Sequence, residues 1–274
     1  MSSFAFARSP MRSRVRAHAA PSTSAPSNAH SHDMKSLSRL SVVAWDVDGT
    51  LANTAALGYD STNAILRERG LREITPEEYA RGTRFTTPRR MAWHATGDAD
   101  DVVGVALGAA FDARYVALVD ASRAAFYDGV RDILRGLHRR GVKQGVLSNA
   151  CGAYARAVIA ANEAEAFVAC AYGADDVPRA KPAPDGLRRV FETIGSVDVR
   201  NAAYIGDAPS DGEAARAAGC VAVGVSWGSH DLTRDDAARH FDVVFDSVAD
   251  LRRAFFDDTD DDGIVVADDA RGGD

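Results

Sequence analysis

The stretch VVAWDVDGTLANT, Val42 to Thr54, sets Asp46 and Asp48 two residues apart at the end of a short apolar run. Carboxylates that close a buried-looking strand are strongly unfavourable unless something pairs with them. Other runs end in the same way. KQGVLSN ends in Ser148-Asn149, and NAAYIGD ends in Gly206-Asp207 with Asp211 a helical turn later. The loop RAKPAPD, after the run AFVACAYG, carries Lys181. If these ends are neighbours, four carboxylates, a hydroxyl and an ammonium meet in one crevice. A divalent cation relieves the repulsion, and an oxygen-only donor set favours magnesium among the hard ions. Magnesium beside a lysine point charge is in turn a place for a phosphate group. The chain holds three lysines among 32 basic residues, so its habitual cation is arginine; a lysine in this proline-rich loop hints that a compact ammonium is wanted there.

The elements that must position these groups alternate. Apolar runs at Ser41–Asp46, Lys143–Asn149, Ala166–Gly173, Asn201–Asp207, Cys220–Trp227 and Asp242–Ser247 read as strands. Helical patterns lie between them: RDILRGLHRRG places Ile133, Leu134 and Leu137 on one side and stops at Gly141, and SDGEAARAAG stops at Gly219. Strands alternating with helices imply an α/β fold, a Rossmann-like parallel sheet covered on both faces, with ligands at the carboxyl ends of the strands. Residues 53–126 break the rhythm and read as helices alone, the last pattern running from Asp100 to Tyr127. Thr75-Pro76 and Thr87-Pro88 look like helix starts, a cap residue followed by proline. The expected organisation is therefore a sheet core over 41–52 and 127–255 with an all-helical insert at 53–126.

Composition bounds the rest. The 274 residues are 46% hydrophobic and carry a net charge of -7, enough for a sizeable core and a poor match to nucleic acid or an anionic membrane as main partner. No run approaches the roughly 18 apolar residues of a membrane span. Cys151, Cys170 and Cys220 are odd in number and lack metal spacing, which argues against a disulfide framework or a zinc site. Residues 1–40 hold six basic residues against one acid and are rich in Ser and Ala, the composition of an organelle transit peptide, for a chloroplast or else a mitochondrion, with a plain disordered extension on a cytoplasmic protein as the alternative. Residues 256–274, with eight aspartates and one arginine, read as a solvated, disordered acidic tail.

DVDGTLANT, VLSNA, AKPAPDGL and GDAPSD, in that order and spacing, resemble the four motifs of the haloacid dehalogenase superfamily, specifically its phosphoglycolate phosphatase-like branch with a helical cap inserted after the first motif. The resemblance covers roughly Val42 to Phe255. It implies an enzyme, a magnesium-dependent phosphoric monoester hydrolase acting on a small phosphorylated metabolite such as phosphoglycolate or a sugar phosphate. By position, Asp46 would attack phosphorus and become an aspartyl-phosphate. Asp48 would protonate the leaving oxygen and then take a proton from the hydrolysing water, because a covalent route needs both a nucleophile and a proton carrier. Gly49 would allow the tight turn, Thr50 would support it, and the two would belong to the phosphate-binding set through the exposed amides there. Ser148 and Asn149 would bind or frame the phosphoryl group, and Lys181 would neutralise its charge. Magnesium would be held by Asp46, the backbone oxygen of Asp48, and Asp207, with Asp211 direct or through water.

The same resemblance separates chemistries. Dehalogenases lack an acid two places after the nucleophile, so Asp48 favours phosphoryl transfer. Phosphonoacetaldehyde hydrolases use a cap lysine, and no lysine lies between Asn53 and Val142. A sugar phosphomutase, or a weakly catalytic metabolite-binding relative, would keep the same motifs. Substrate choice in the family depends on the cap, where Arg81–Gly97 (RGTRFTTPRRMAWHATG) is the expected substrate-facing segment, with Arg84, Arg89 or His94 meeting a second anionic group. Two departures stand out: Asn53 where relatives often have an acid, and Ala208-Pro209 where they often have a hydroxyl residue. Trp45 reads as core and Cys151 as a small packing residue.

Overall fold

The computed structural model describes residues 34–256 except 196, 197, 229 and 231. The basic leader up to residue 33 and the acidic tail from residue 257 lie outside the described residues. Six strands form one parallel sheet: β1 (Val42–Trp45), β2 (Lys143–Leu147), β3 (Cys170–Tyr172), β4 (Ala202–Gly206), β5 (Val221–Val225) and β6 (Val243–Phe245). Their spatial order is β3-β2-β1-β4-β5-β6. The chain thus works outward from β1 on one side through β2 and β3. It then returns to β1's other edge for β4 and works outward again. That reversal opens a crevice above the carboxyl ends of β1 and β4, where such sheets bind ligands.

Alternation along the strands explains why both faces are covered. Val43 and Trp45 point into one apolar cluster, while Val42 and Ala44 point into another. The first face is packed by α5 (Val130–Arg139), α6 (Gly152–Ala161) and α10 (Val248–Phe255), through Ile133, Tyr154 and Phe255 among others. The second is packed by α7 (Asp185–Ile194) and α8 (Pro209–Ala218), through Leu187, Val190 and Ala214, with α9 (Arg234–His240) following β5. Trp45 is 1% exposed and donates its indole N–H to Gln144 Oε1 at 3.2 Å, which satisfies the one polar atom the core position buries.

Four helices leave the sheet after β1: α1 (Ala55–Glu68), α2 (Pro76–Gly82), α3 (Thr87–Thr96) and α4 (Val103–Ala117). Thr75 caps α2 as its sequence suggests, accepting the Glu78 N–H at 3.2 Å while Glu78 accepts the Thr75 N–H at 2.9 Å. Two expectations need correction. The cap of α3 is Thr86, and Thr87 lies inside the helix and buried. The fourth helix stops at Ala117 instead of reaching Tyr127. Asp120 Oδ1 takes the N–H groups of Ser122 and Arg123 at 2.8 and 2.9 Å, a local turn that competes with helix. The chain enters and leaves the helical insert side by side: Asn53 N–H donates to Ala125 O and Tyr127 N–H to Leu51 O, at 2.9 and 3.0 Å.

Candidate active site

Asp46 extends the β1–β4 ladder by one bond, its N–H donating to Ile205 O at 2.8 Å, and then the chain turns sharply. The N–H groups of Thr50, Leu51 and Ala52 all point at Val47 O, at 3.3, 3.0 and 2.9 Å. Gly49 sits at φ 80°, a backbone conformation that a side chain would strain. Gly49 and Thr50 build this turn and do not line the cavity beyond it; Thr50 O accepts the Trp227 indole N–H at 3.2 Å. The turn leaves the side chains of Asp46 and Asp48 facing one cavity of about 80 Å³.

The structure brings the sequence-predicted core residues to that cavity: Ser148 and Asn149 after β2, Lys181 after β3, Asp207 and Asp211 after β4. Asn149 fixes the lysine loop, its Oδ1 accepting the Lys181 N–H at 3.0 Å and its Nδ2 donating to Lys181 O at 3.1 Å. The Lys181 ammonium is thereby held 2.6 Å from Asp46 Oδ1, 2.7 Å from Asp211 Oδ1 and 2.8 Å from the Tyr204 hydroxyl. Asp211 also serves its helix, accepting the Ala208 N–H on Oδ2 at 2.9 Å. A Cβ on Gly206 would fall 2.3 Å from that same Oδ2, so the close approach of Asp211 to β4 requires glycine there.

One oxygen each of Asp46, Asp207 and Asp211 lies within 4.8 Å of the others, and all three side chains are buried. Burial drives the Asp46 carboxyl well above its ordinary pKa; Lys181 opposes the rise, and Asp211, Asp207 and Asp48 add to it. Burial works against the Lys181 charge, but Asp211 and Asp46 outweigh it and hold the ammonium protonated. One ammonium does not balance the carboxylates around it. An oxygen-only donor set with surplus negative charge suits a hard divalent cation.

The helical insert closes the opposite wall with Tyr79, Thr83, Phe85, Thr87, Arg90 and Tyr115. The three residues expected to face substrate do not line it. Arg84 is exposed and stacks over Phe85, 4.7 Å from its centroid. Arg89 points outward to Asp100 at 3.0 Å. His94 lines a separate pocket beside Arg72 and Glu78, where burial, with Arg90 adding, lowers its pKa to about 4. The physical reason is helical rotation: α3 buries Thr87 and Met91, and successive residues turn by about 100°, so Arg90 faces the cavity and its neighbour faces water. Arg90 lies over Phe111 at 4.6 Å from the ring centroid, and its buried Nε has no hydrogen-bond partner among the described residues.

Other residues in and around the site lie outside the four motifs or carry a different role there. His230, after β5, places Nδ1 3.2 Å from Asp207 Oδ2 and Nε2 3.1 Å from Thr83 Oγ1, joining the acidic cluster to the insert. It stands five residues beyond β5, whereas Asp207 directly follows β4, so the signal lay in the loop past the strand end and not at the end itself. Tyr204 donates to Leu147 O at 2.8 Å from inside β4, where an aromatic reads only as core. Cys151 is buried, and burial, followed by Asp112, raises its pKa to about 11, so it packs as a thiol.

A family model described as haloacid dehalogenase-like hydrolase matches residues 43–225. The chain is 31% identical over 193 residues to a phosphoglycolate phosphatase of Rhodospirillum rubrum, covering 68% of this chain and 79% of that one. It is 33% identical over 186 residues to the phosphoglycolate phosphatase of Xanthomonas campestris pv. campestris, covering 68% and 83%. Among solved structures, CbbY of Rhodobacter sphaeroides, as a mutant in complex with xylulose-(1,5)bisphosphate, shares the fold at TM-score 0.67 and 24% identity, over 77% of this chain and 96% of that one.

Proposed function

This chain belongs to the haloacid dehalogenase-like hydrolase family, and from that premise we propose that it is a magnesium-dependent phosphatase of small phosphorylated metabolites, phosphoglycolate first among them. The observation that carries the reading is the convergence of Asp46, Asp207 and Asp211 with Lys181 beside them and Asp48 across the same cavity. Two relatives that bear the name phosphoglycolate phosphatase support the substrate class. The cavity of about 80 Å³ supports a ligand of few atoms, being well below the roughly 300–1,000 Å³ of sites for drug-sized ligands.

In this mechanism the phosphoryl group sits between Asp46 and the Ser148–Lys181 side of the cavity. An Asp46 oxygen attacks phosphorus; the ester P–O bond breaks, and the departing oxygen takes its proton from Asp48. Asp48 then removes a proton from water, whose oxygen attacks the aspartyl-phosphate, releasing orthophosphate and restoring Asp46. Lys181 offsets the negative charge that gathers on the phosphoryl oxygens. Asp46, Asp207, Asp211 and the backbone of Asp48 would hold the magnesium ion, which supplies charge that keeps Asp46 ionised and balances the phosphoryl group. The insert α1–α4 acts as a cap that excludes water from the intermediate.

Assay of phosphorylated two- to six-carbon acids and sugars, with and without magnesium, tests the proposal. Turnover of a small phosphomonoester is expected only with the ion, and no turnover of any would sink it. Magnesium at about 100 times its dissociation constant should also stabilise the fold by about 2.7 kcal/mol, seen as a rise in melting temperature. Asp207→Asn should lose that rise.

Arg90 supplies the cap's cation within the cavity. Its replacement by alanine should raise KM for a carboxylate-bearing phosphomonoester by roughly 10-fold, the scale of one charge-assisted hydrogen bond. The change in kcat should be smaller, and Arg90→Lys should recover only part of the loss.

A further inference from the structure

We infer that Tyr115 and Tyr154 are positioning residues that clamp one oxygen of Asp48, so that its other oxygen carries the proton, and that Tyr115 makes this clamp depend on docking of the helical insert. The inference rests on the phosphatase reading above. Asp48 Oδ1 accepts from Thr54 Oγ1 at 2.5 Å and from the Tyr154 hydroxyl at 2.6 Å. The Tyr115 hydroxyl lies 3.1 Å from the same Oδ1 and 3.0 Å from the Tyr154 oxygen. A phenol has one proton to give. Given to Asp48, it makes a third bond to Oδ1; given to Tyr154, it polarises the hydroxyl that already holds Oδ1. Either way the Tyr115 hydroxyl bears on one carboxylate oxygen.

The opposite oxygen is much less engaged. Asp48 Oδ2 has Ser148 Oγ at 3.4 Å as its hydrogen-bond contact. A carboxylate saturated on one side and open on the other has a fixed orientation and one face for proton exchange. Both tyrosines are buried, their rings stacked with centroids 4.0 Å apart and planes 14° from parallel. Burial first, then the Asp48 charge, raises both phenols well above their ordinary pKa, so they remain donors.

The two rings come from different parts of the chain. Tyr154 lies on α6, packed on the sheet, and Tyr115 lies on α4 of the insert. Thr54 stands where the chain enters the insert. The proton carrier is therefore held by the core, the entry point and the insert together. An insert that swings away takes Tyr115 with it and leaves Asp48 under-held. Proton transfer is then tied to the closed state, when water is excluded from the phosphoryl group.

Two esters separate this role from a general loss of structure. p-Nitrophenyl phosphate has a leaving group that departs without a proton, whereas phosphoglycolate needs one. Wild type, Tyr115→Phe and Tyr154→Phe are compared on both with magnesium, by rapid mixing and at steady state. The expected result is a kcat on phosphoglycolate reduced about tenfold or more, with KM within about twofold. On p-nitrophenyl phosphate the first turnover stays as fast as wild type and later turnovers slow, because the attack by Asp46 is spared and activation of water is not. Thr54→Val, which removes a donor without touching the stacked rings, should give the same pattern and serves if a tyrosine variant fails to fold. Unchanged kcat, or a first turnover slowed in parallel with the rest, overturns the inference while leaving the phosphatase reading intact. If phosphoglycolate is not turned over, the phosphomonoester of the screen above that is hydrolysed fastest takes its place, and a wild type inert on every ester of that screen sinks that reading and this inference with it.

Discussion

Asp46→Asn is expected to abolish turnover, by about 10⁴-fold or more, while the protein stays folded with a melting temperature within a few degrees of wild type. The two outcomes separate because the carboxylate is a nucleophile that the fold does not need. Burial opposes its ionisation, and Asp211, Asp207 and Asp48 oppose it further. An amide of the same shape removes that repulsion. Lys181 loses one partner in the exchange but keeps Asp211 at 2.7 Å and Tyr204 at 2.8 Å. Phosphate release and calorimetry on the same preparation measure both. A variant retaining a tenth of the activity would remove Asp46 from the mechanism, and a large drop in melting temperature would show it to be structural.

Lys181→Met should be the most destabilising change in the site, by about 3–5 kcal/mol in the absence of magnesium. The ammonium side chain is 3% exposed and is the cation between Asp46 and Asp211. Without it, two buried carboxylates face each other uncompensated, and the repulsion that already raises the Asp46 pKa goes unopposed. The pH dependence has a definite sign. A carboxyl whose folded pKa lies above its unfolded value binds more protons when folded, so its contribution is most favourable at low pH and is lost as pH rises through the folded pKa. The deficit of Lys181→Met relative to wild type should therefore shrink as pH falls from about 8 to about 5, as urea midpoints would show. A deficit that grows on acidification would contradict this charge balance. Lys181→Arg should not restore activity, since a planar fork does not fit where a point charge meets three oxygens.

The core half of the site was legible because strand chemistry is periodic and local. A run of apolar residues ending in Asp46, Ser148 or Asp207 announces both a strand and what stands at its mouth, and a parallel sheet gathers those mouths. The insert half was not, because a helix presents each residue according to packing that sequence spacing does not reveal. Arg89 and Arg90 are adjacent and chemically identical, and only the burial of Thr87 and Met91 against the neighbouring helix decides that Arg90 faces the cavity. Tyr115 and Tyr154 are 39 residues apart and read as ordinary core aromatics until α4 and α6 meet over Asp48. The end of α4 was missed for a different reason: Asp120 forms a local turn that hydrophobic periodicity does not register.

The paired crossing of Leu51–Asn53 with Ala125–Tyr127 has an evolutionary corollary. Because the intervening chain departs and returns through one doorway, its length and content are decoupled from the sheet: doubling it adds only about 0.6 kcal/mol of closure entropy. Chimaeras that swap everything between those two hydrogen-bonded links should keep the same hydrolytic engine while acquiring a different clientele. Selection can then retool what such an enzyme eats without rebuilding how it eats.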